Sequence, residues 1–397
     1  MTPASPSPAP SARSPFARLA ERLEGIAPGR PPINLSVGEP QHPIPDFVGP
    51  VLAQNLPDFG RYPAIRGTDA FREAVAAWLG RRFGLGTALD PARHVVVLSG
   101  SREGLFLAAL TAAQRKRTER PAILVPNPYY QAYGAGAQAA GAELVPLAAT
   151  RESGFLPDLD ALEPALLERT LALYLATPSN PQGAVASLDY LTHAVVLARR
   201  HGFMLFLGEC YSEIYADAPP AGGLQAALAL GGFGQVVVFN SLSKRSSLPG
   251  LRIGFAAGDP DFLDAYAQFR NVAGPQVPLP AQAVAVRAYA DEAHVEANRA
   301  LYRTKFSIAD QILGGRFGYR RPPGGFFLWL DMTEAGGGEA AAVRLWREAG
   351  LRVLPGGYLT TETADGGNPG AAYLRVALVA DIETTAEALR RIVETLT

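Results

Sequence analysis

Six short apolar runs, at 94–98, 122–125, 171–176, 203–207, 236–239 and 251–257, punctuate the middle of the chain and restrict what it can fold into. They are continuous rather than alternating, as strands covered on both faces must be. Between them lie stretches of helical spacing, at 68–83, from the 99–104 turn to about 113, and at 187–201. Strand and helix in alternation from about 68 to 257 predict a mostly parallel α/β sheet. Helices are also expected at 15–26, 261–274, 281–303 and 339–349, the one at 281–303 long enough to link two lobes. Further strands are expected at 325–331, 352–354 and 370–378. The resulting division is a large domain over 51–285 and a smaller α/β domain built from 15–50 and 286–397. A ligand of such a sheet sits at the carboxyl ends of its strands.

The 397 residues are 48% hydrophobic, enough for a sizeable core, and the formal net charge of −1 gives no global field for nucleic acid or an anionic membrane. No apolar stretch reaches the roughly 20 residues of a membrane helix. A single cysteine, Cys210, excludes an intramolecular disulfide and a cysteine-based zinc cluster, so no metal is expected and the compartment is expected to be the cytoplasm. Residues 1–14, rich in Pro, Ser and Ala and without an apolar signal core, read as a disordered tail.

The most informative stretch is 241–255, SLSKRSSLPGLRIGF, a basic, hydroxyl-rich turn between two apolar runs. A lysine just past the end of a buried strand can lose its proton to a dry pocket and attack carbonyl compounds. Only three of the 36 basic residues are lysines, Lys116, Lys244 and Lys305, so lysine at 244 is not routine solvation. Ser241, Ser243 and Arg252 add hydroxyls and a guanidinium that suit a phosphorylated aldehyde. None of the lysines follows a glycine, which excludes a P-loop. The sequence GAGAQA at 134–139 fits a loose dinucleotide pattern, but it follows a tyrosine-rich turn instead of a strand and is rejected as such a site.

This segment resembles the lysine loop of fold-type I pyridoxal-phosphate (PLP) enzymes, and its wording is most similar to N-succinyldiaminopimelate aminotransferases. The resemblance extends over residues 15–397 and implies the PLP-dependent transferase fold type I, with a seven-stranded, mostly parallel sheet. It also implies roles for residues met in order along the chain. Lys244 carries the cofactor and moves the substrate proton. Ser101 and Arg102, at a small-residue turn opening a helix, join Ser241, Ser243 and Arg252 in holding the phosphate; such a helix start presents free N–H groups. Tyr130 stacks on the pyridine, while Asn180, in TPSNPQG, and Tyr211 bond its phenolic oxygen. Gly38 lies beside the substrate and Arg375, inside an apolar strand, forks onto the α-carboxylate. Tyr62 reaches the phosphate of a neighbouring subunit, which implies a homodimer with shared active sites. The implied reaction passes an amino group between glutamate and N-succinyl-2-amino-6-oxopimelate, a step toward lysine and the cell wall.

At 208 the chain departs from that pattern. The family places aspartate there, against the pyridine nitrogen, and this chain reads Gly208-Glu-Cys-Tyr211. Glu209 is expected to face away, because successive strand side chains alternate, unless a bulge turns it inward. Cys210 is expected to be small and buried, and His94 structural. The departure leaves room for a sister PLP enzyme or a weakly catalytic PLP-binding protein.

Overall fold

The computed structural model describes residues 14–363 and 366–397. The expected tail therefore lies, through residue 13, outside the described residues. Ser14 caps the first helix, Pro15–Leu23, its hydroxyl accepting from the Phe16 N–H at 3.3 Å.

Twelve strands are present among the described residues. In chain order they are β1 (Ile33–Asn34), β2 (Val95–Leu98), β3 (Ala122–Asn127), β4 (Glu143–Ala148), β5 (Thr170–Ala176), β6 (Met204–Gly208), β7 (Val236–Ser241), β8 (Gly254–Gly258), β9 (Phe327–Asp331), β10 (Leu351–Arg352), β11 (Leu354–Pro355) and β12 (Tyr373–Ala377). Seven of them form one sheet in the order β2-β8-β7-β6-β5-β3-β4. Neighbours from β4 to β7 pair in parallel, and β8 alone runs against both its partners. The mostly parallel α/β sheet expected from the apolar runs is thus the observed one.

Helices cover both faces, and the strands split their side chains between two cores by strict alternation. Leu173, Leu175, Leu205, Leu207, Val236 and Val238 point to one core. Tyr174, Met204, Phe206, Val237 and Phe239 point to the other. That parity decides where the last residues of β6 look. Beside this sheet, β11, β12 and β9 form a three-stranded antiparallel sheet, and β1 pairs with β10.

Several boundaries differ from the sequence reading. The single helix expected at 281–303 is two, Leu279–Ala290 and Ala293–Leu313. Asp291 stops the first in an extended conformation, and its carboxylate takes the His294 backbone N–H at 3.3 Å and the His294 ring at 2.6 Å, a local bond that competes with helix. The strand expected from 251 starts at Gly254, because the chain must reverse before running against β7: Pro249–Leu251 is a 3-10 turn and Arg252 is left-handed at φ 55°. His94 ends a helical turn, Pro91–His94, instead of opening a strand. The expected strand at 352–354 divides at Val353 between two sheets. The GAGAQA stretch lies inside the helix Gln131–Ala139, where a Cβ on Gly136 would stand 2.9 Å from the Ala109 methyl; the glycine serves helix packing.

Candidate active site

A cavity of about 1150 Å³ opens at the carboxyl ends of β3, β5, β6 and β7. It is lined by Gly38, Ser101, Arg102, Tyr130, Asn180, Tyr211, Ser241, Ser243, Lys244, Arg252 and Arg375, so eleven of the twelve residues singled out in the sequence meet at one place. Tyr62 is the exception: it is 95% exposed and lines no part of the cavity.

Strand β7 ends at Ser241 and turns at once into the short helix Leu242–Arg245, which carries Lys244. The Lys244 amine donates to the Gly38 carbonyl oxygen and stands 5.3 Å from the centre of the Phe326 ring. Burial lowers its pKa to about 8; Arg375 and Arg102 push the same way, while Cys210 and Glu39 oppose them. An amine so placed is neutral in a usable fraction near neutral pH, as a nucleophile must be.

An anion cradle faces the lysine. The helix Ser101–Arg115 begins after Gly100, whose φ of 82° suits glycine, and its free N–H groups point into the cavity end. A Cβ on Gly100 would collide with the Arg252 guanidinium, so the glycine lets that guanidinium close over the helix start. The Cys210 thiol donates to the Ser101 hydroxyl at 3.3 Å and takes a longer contact, 3.9 Å, from the Ser241 hydroxyl. Arg102 donates through Nε to the Tyr130 hydroxyl at 2.6 Å.

The opposite side belongs to Arg375, delivered by β12 from the three-stranded sheet. Its guanidinium donates to Asn180 Oδ1 at 3.0 Å and to the Ser36 carbonyl at 2.6 Å, and packs 4.4 Å from the centre of the Phe327 ring. Its Nε is buried without a partner, and among the described residues it pairs with no carboxylate. Burial lowers its pKa to about 10, with Tyr211 opposing, which leaves it cationic at neutral pH. A buried, unpaired guanidinium beside a cavity is a site for an anion. Tyr211 is held well above the usual phenol range, chiefly by burial, and stays a proton donor.

Position 208 resolves the question raised by the sequence. Glu209 looks away from the cavity into the core on the far face, where its Oε1 accepts from the Gly223 N–H at 2.7 Å. Burial pushes its pKa up to about 7, the Gly223 N–H and Arg82 pull it down, and Glu213 pushes it up. Gly208 looks toward the cavity. A Cβ there would stand 3.1 Å from the hydroxyl of Tyr133.

Sequence reasoning missed Tyr133, Ser36, Phe327 and the wall position of Cys210. For Tyr133 a signal existed, since Tyr130 and Tyr133 lie three residues apart where a helix begins and so share a face. Ser36 acts through its backbone, which no side-chain pattern reveals.

These donors fit pyridoxal phosphate: a neutral amine for its aldehyde, a helix start with hydroxyls and an arginine for its phosphate, and a buried guanidinium for an amino acid carboxylate. The family model for aminotransferase class I and II matches residues 30–396. A 4-dedimethylamino-4-oxo-anhydrotetracycline transaminase of Streptomyces rimosus is 34% identical, over 91% of this chain and 92% of its own. An LL-diaminopimelate aminotransferase of Syntrophobacter fumaroxidans is 32% identical, over 93% and 92%. Among solved structures, an aminotransferase of Neisseria meningitidis superposes with a TM-score of 0.91 at 37% identity, covering 97% of this chain and 98% of its own. A probable N-succinyldiaminopimelate aminotransferase of Thermus thermophilus superposes with a TM-score of 0.84 at 28% identity, covering 96% and 100%. With its sheet, its cavity and nearly its whole length matched in this way, the chain belongs to the class I and II aminotransferases, PLP-dependent enzymes of fold type I that move amino groups between amino acids and oxo acids.

Proposed function

We propose that this aminotransferase passes an amino group between glutamate and N-succinyl-2-amino-6-oxopimelate, a step in making diaminopimelate and lysine. The observation that carries the reading is the loop 241–255, SLSKRSSLPGLRIGF, whose wording resembles that of N-succinyldiaminopimelate aminotransferases. The cavity, about 1150 Å³, is lined by Phe16, Gln131, Phe155 and Leu156 as well as by Arg375, which gives room for a long acylated chain with an amide to bond.

Bound pyridoxal phosphate supplies an aldehyde for the incoming amine and a conjugated ring that spreads the electrons of the broken Cα–H bond. Lys244 would hold the cofactor through its nitrogen and, once the amino donor displaces it, its free amine would serve as the base that takes the substrate α-proton and the acid that gives it back. Arg375 grips the α-carboxylate and so fixes which bond to Cα is presented for cleavage. Asn180 and Tyr211 would bond the phenolic oxygen; Ser101, Arg102, Ser241, Ser243 and Arg252 would hold the phosphate; Tyr130 would cover the ring; and Gly38 would leave space for substrate. Tyr62 serves a second subunit's site, so the enzyme is a homodimer. The exposed apolar side chains Leu56 and Phe59, close to Tyr62 in sequence, support an interface there.

A panel of oxo acids offered to the glutamate-charged enzyme tests the substrate. N-succinyl-2-amino-6-oxopimelate should give the highest kcat/KM, by about tenfold or more over its unsuccinylated counterpart. Faster turnover of that counterpart, or of a polycyclic ketone, would replace the proposal.

A further inference from the structure

We propose that the Tyr133 hydroxyl takes the place of the missing acid at 208 and donates a hydrogen bond to the pyridine nitrogen of the cofactor, leaving that nitrogen unprotonated. The inference rests on the seating of pyridoxal phosphate described above. In that molecule the ring nitrogen is para to the aldehyde carbon, so a cofactor held by Lys244 directs its nitrogen to the wall across the ring from the lysine. An acid from the end of β6 is expected on that wall, and Gly208 stands there instead.

Four observations put Tyr133 in the vacated position. First, the direction a side chain would take from Gly208 leads to the Tyr133 oxygen, 3.1 Å from the Cβ site. Second, the only carboxylate next in sequence, Glu209, is committed to the Gly223 N–H on the far face of the sheet. Third, the Tyr133 ring is locked, stacked on Tyr174 at 4.5 Å and meeting Tyr130 edge-on at 5.8 Å, and it is 3% exposed. Fourth, its hydroxyl has no hydrogen-bond partner among the described residues, although Tyr133 lines the cavity. A locked hydroxyl facing a ligand cavity with nothing to bond is a group awaiting a ligand atom.

The chemistry of the partner matters. An aspartate is an anion and stabilises the pyridinium form; a phenol is neutral. Burial, and next Cys210, Tyr130 and Tyr211, hold the Tyr133 pKa far above the ordinary phenol value, so it does not ionise to imitate a carboxylate. The phenol is a far weaker acid than a pyridinium N–H, so in this hydrogen bond the proton rests on the Tyr133 oxygen. The ring is then a weaker electron sink, and proton removal from substrate leans more on Lys244 and Arg375. The same geometry changes what repair requires. An aspartate placed at 208 alone would meet the Tyr133 hydroxyl, so the hydroxyl must leave as well.

The test is the holoenzyme loaded with pyridoxal phosphate labelled with 15N in the ring. The wild-type nitrogen should resonate as a neutral, hydrogen-bonded pyridine at neutral pH. Tyr133→Phe, which keeps the stacked ring, should move the signal toward free pyridine and weaken cofactor binding about 3- to 10-fold, the worth of one hydrogen bond. Gly208→Asp in the Tyr133→Phe background should convert the signal to pyridinium and speed the glutamate half-reaction. A pyridinium signal in the wild type, or a Tyr133→Phe holoenzyme with unchanged signal and affinity, would overturn the assignment. A protein that takes up no cofactor at Lys244 would overturn the seating itself, a separate and visible result.

Discussion

Two lysines lie inside this molecule, and they share a chemical state but not a setting. Burial lowers both Lys244 and Lys305 to a pKa of about 8. Lys244 ends in a cavity lined by arginines and hydroxyls. Lys305 is wholly buried and ends on protein, its amine bonding His42 Nε2 at 2.6 Å and the Leu378 carbonyl at 3.1 Å. With Lys305 donating to Nε2, the other ring nitrogen of His42 donates to Asn298 Oδ1 at 2.6 Å, and Asn298 Nδ2 donates to the carbonyl of Lys244 itself at 3.0 Å. One lysine is poised to react and the other props up its backbone. A depressed pKa therefore marks burial, and only the open space beside Lys244 marks chemistry.

The largest effect expected is at Lys244. Lys244→Ala should abolish the visible absorption of covalently held cofactor and lower transamination by about 10³-fold or more, since both the tether and the proton carrier go. Lys305→Met should keep the band. A band that survives Lys244→Ala, or is lost in a folded Lys305→Met protein, would reverse the roles.

Lys305 should instead show itself in stability. Removing its amine leaves the His42 ring and the Leu378 carbonyl without a donor in a dry interior, a loss of about 1–3 kcal/mol. Chemical denaturation of Lys305→Met should shift to lower midpoint by that amount with an unchanged slope, and kcat/KM should stay within about threefold of wild type. An unchanged midpoint would mean that the prop carries no weight.

How much of this was legible in the sequence follows from what each feature depends on. The sheet was legible because each strand is a local apolar run, and the lysine loop because its residues sit within one turn of chain. The break at Asp291 was not, since Ala281 to Arg303 has helical spacing throughout and only the side chain of Asp291, bonding His294, interrupts it. The direction of Glu209 was legible from strand parity alone, and the far-face bond to Gly223 agrees. What faces Gly208 was not legible, because Tyr133 arrives from a helix 75 residues earlier and no local pattern joins the two. The Lys305–His42–Asn298 chain was hidden for the same reason: it links three segments far apart in sequence.

The smallest expected effect separates the lysines by pH. A lysine whose folded pKa is about 8 takes up its proton less readily folded than unfolded, where the ordinary value is 10.5. Between those two values the unfolded chain binds more protons, so stability rises with pH across that window and is flat on either side. Wild-type apoprotein should accordingly gain stability over Lys244→Met as pH climbs from about 8 to 10.5, and Lys305 should contribute the same window against Lys305→Met. Apoprotein alone cannot tell them apart. Loading pyridoxal phosphate would engage the Lys244 nitrogen, which then no longer titrates as a free amine, so in holoprotein the Lys244 window between about 8 and 10.5 should close while the Lys305 window persists. Differential thermal unfolding of the three proteins with and without cofactor reads this directly. A Lys305 window that closes with loading, or a Lys244 window that survives it, would show that the cofactor is held by the wrong lysine.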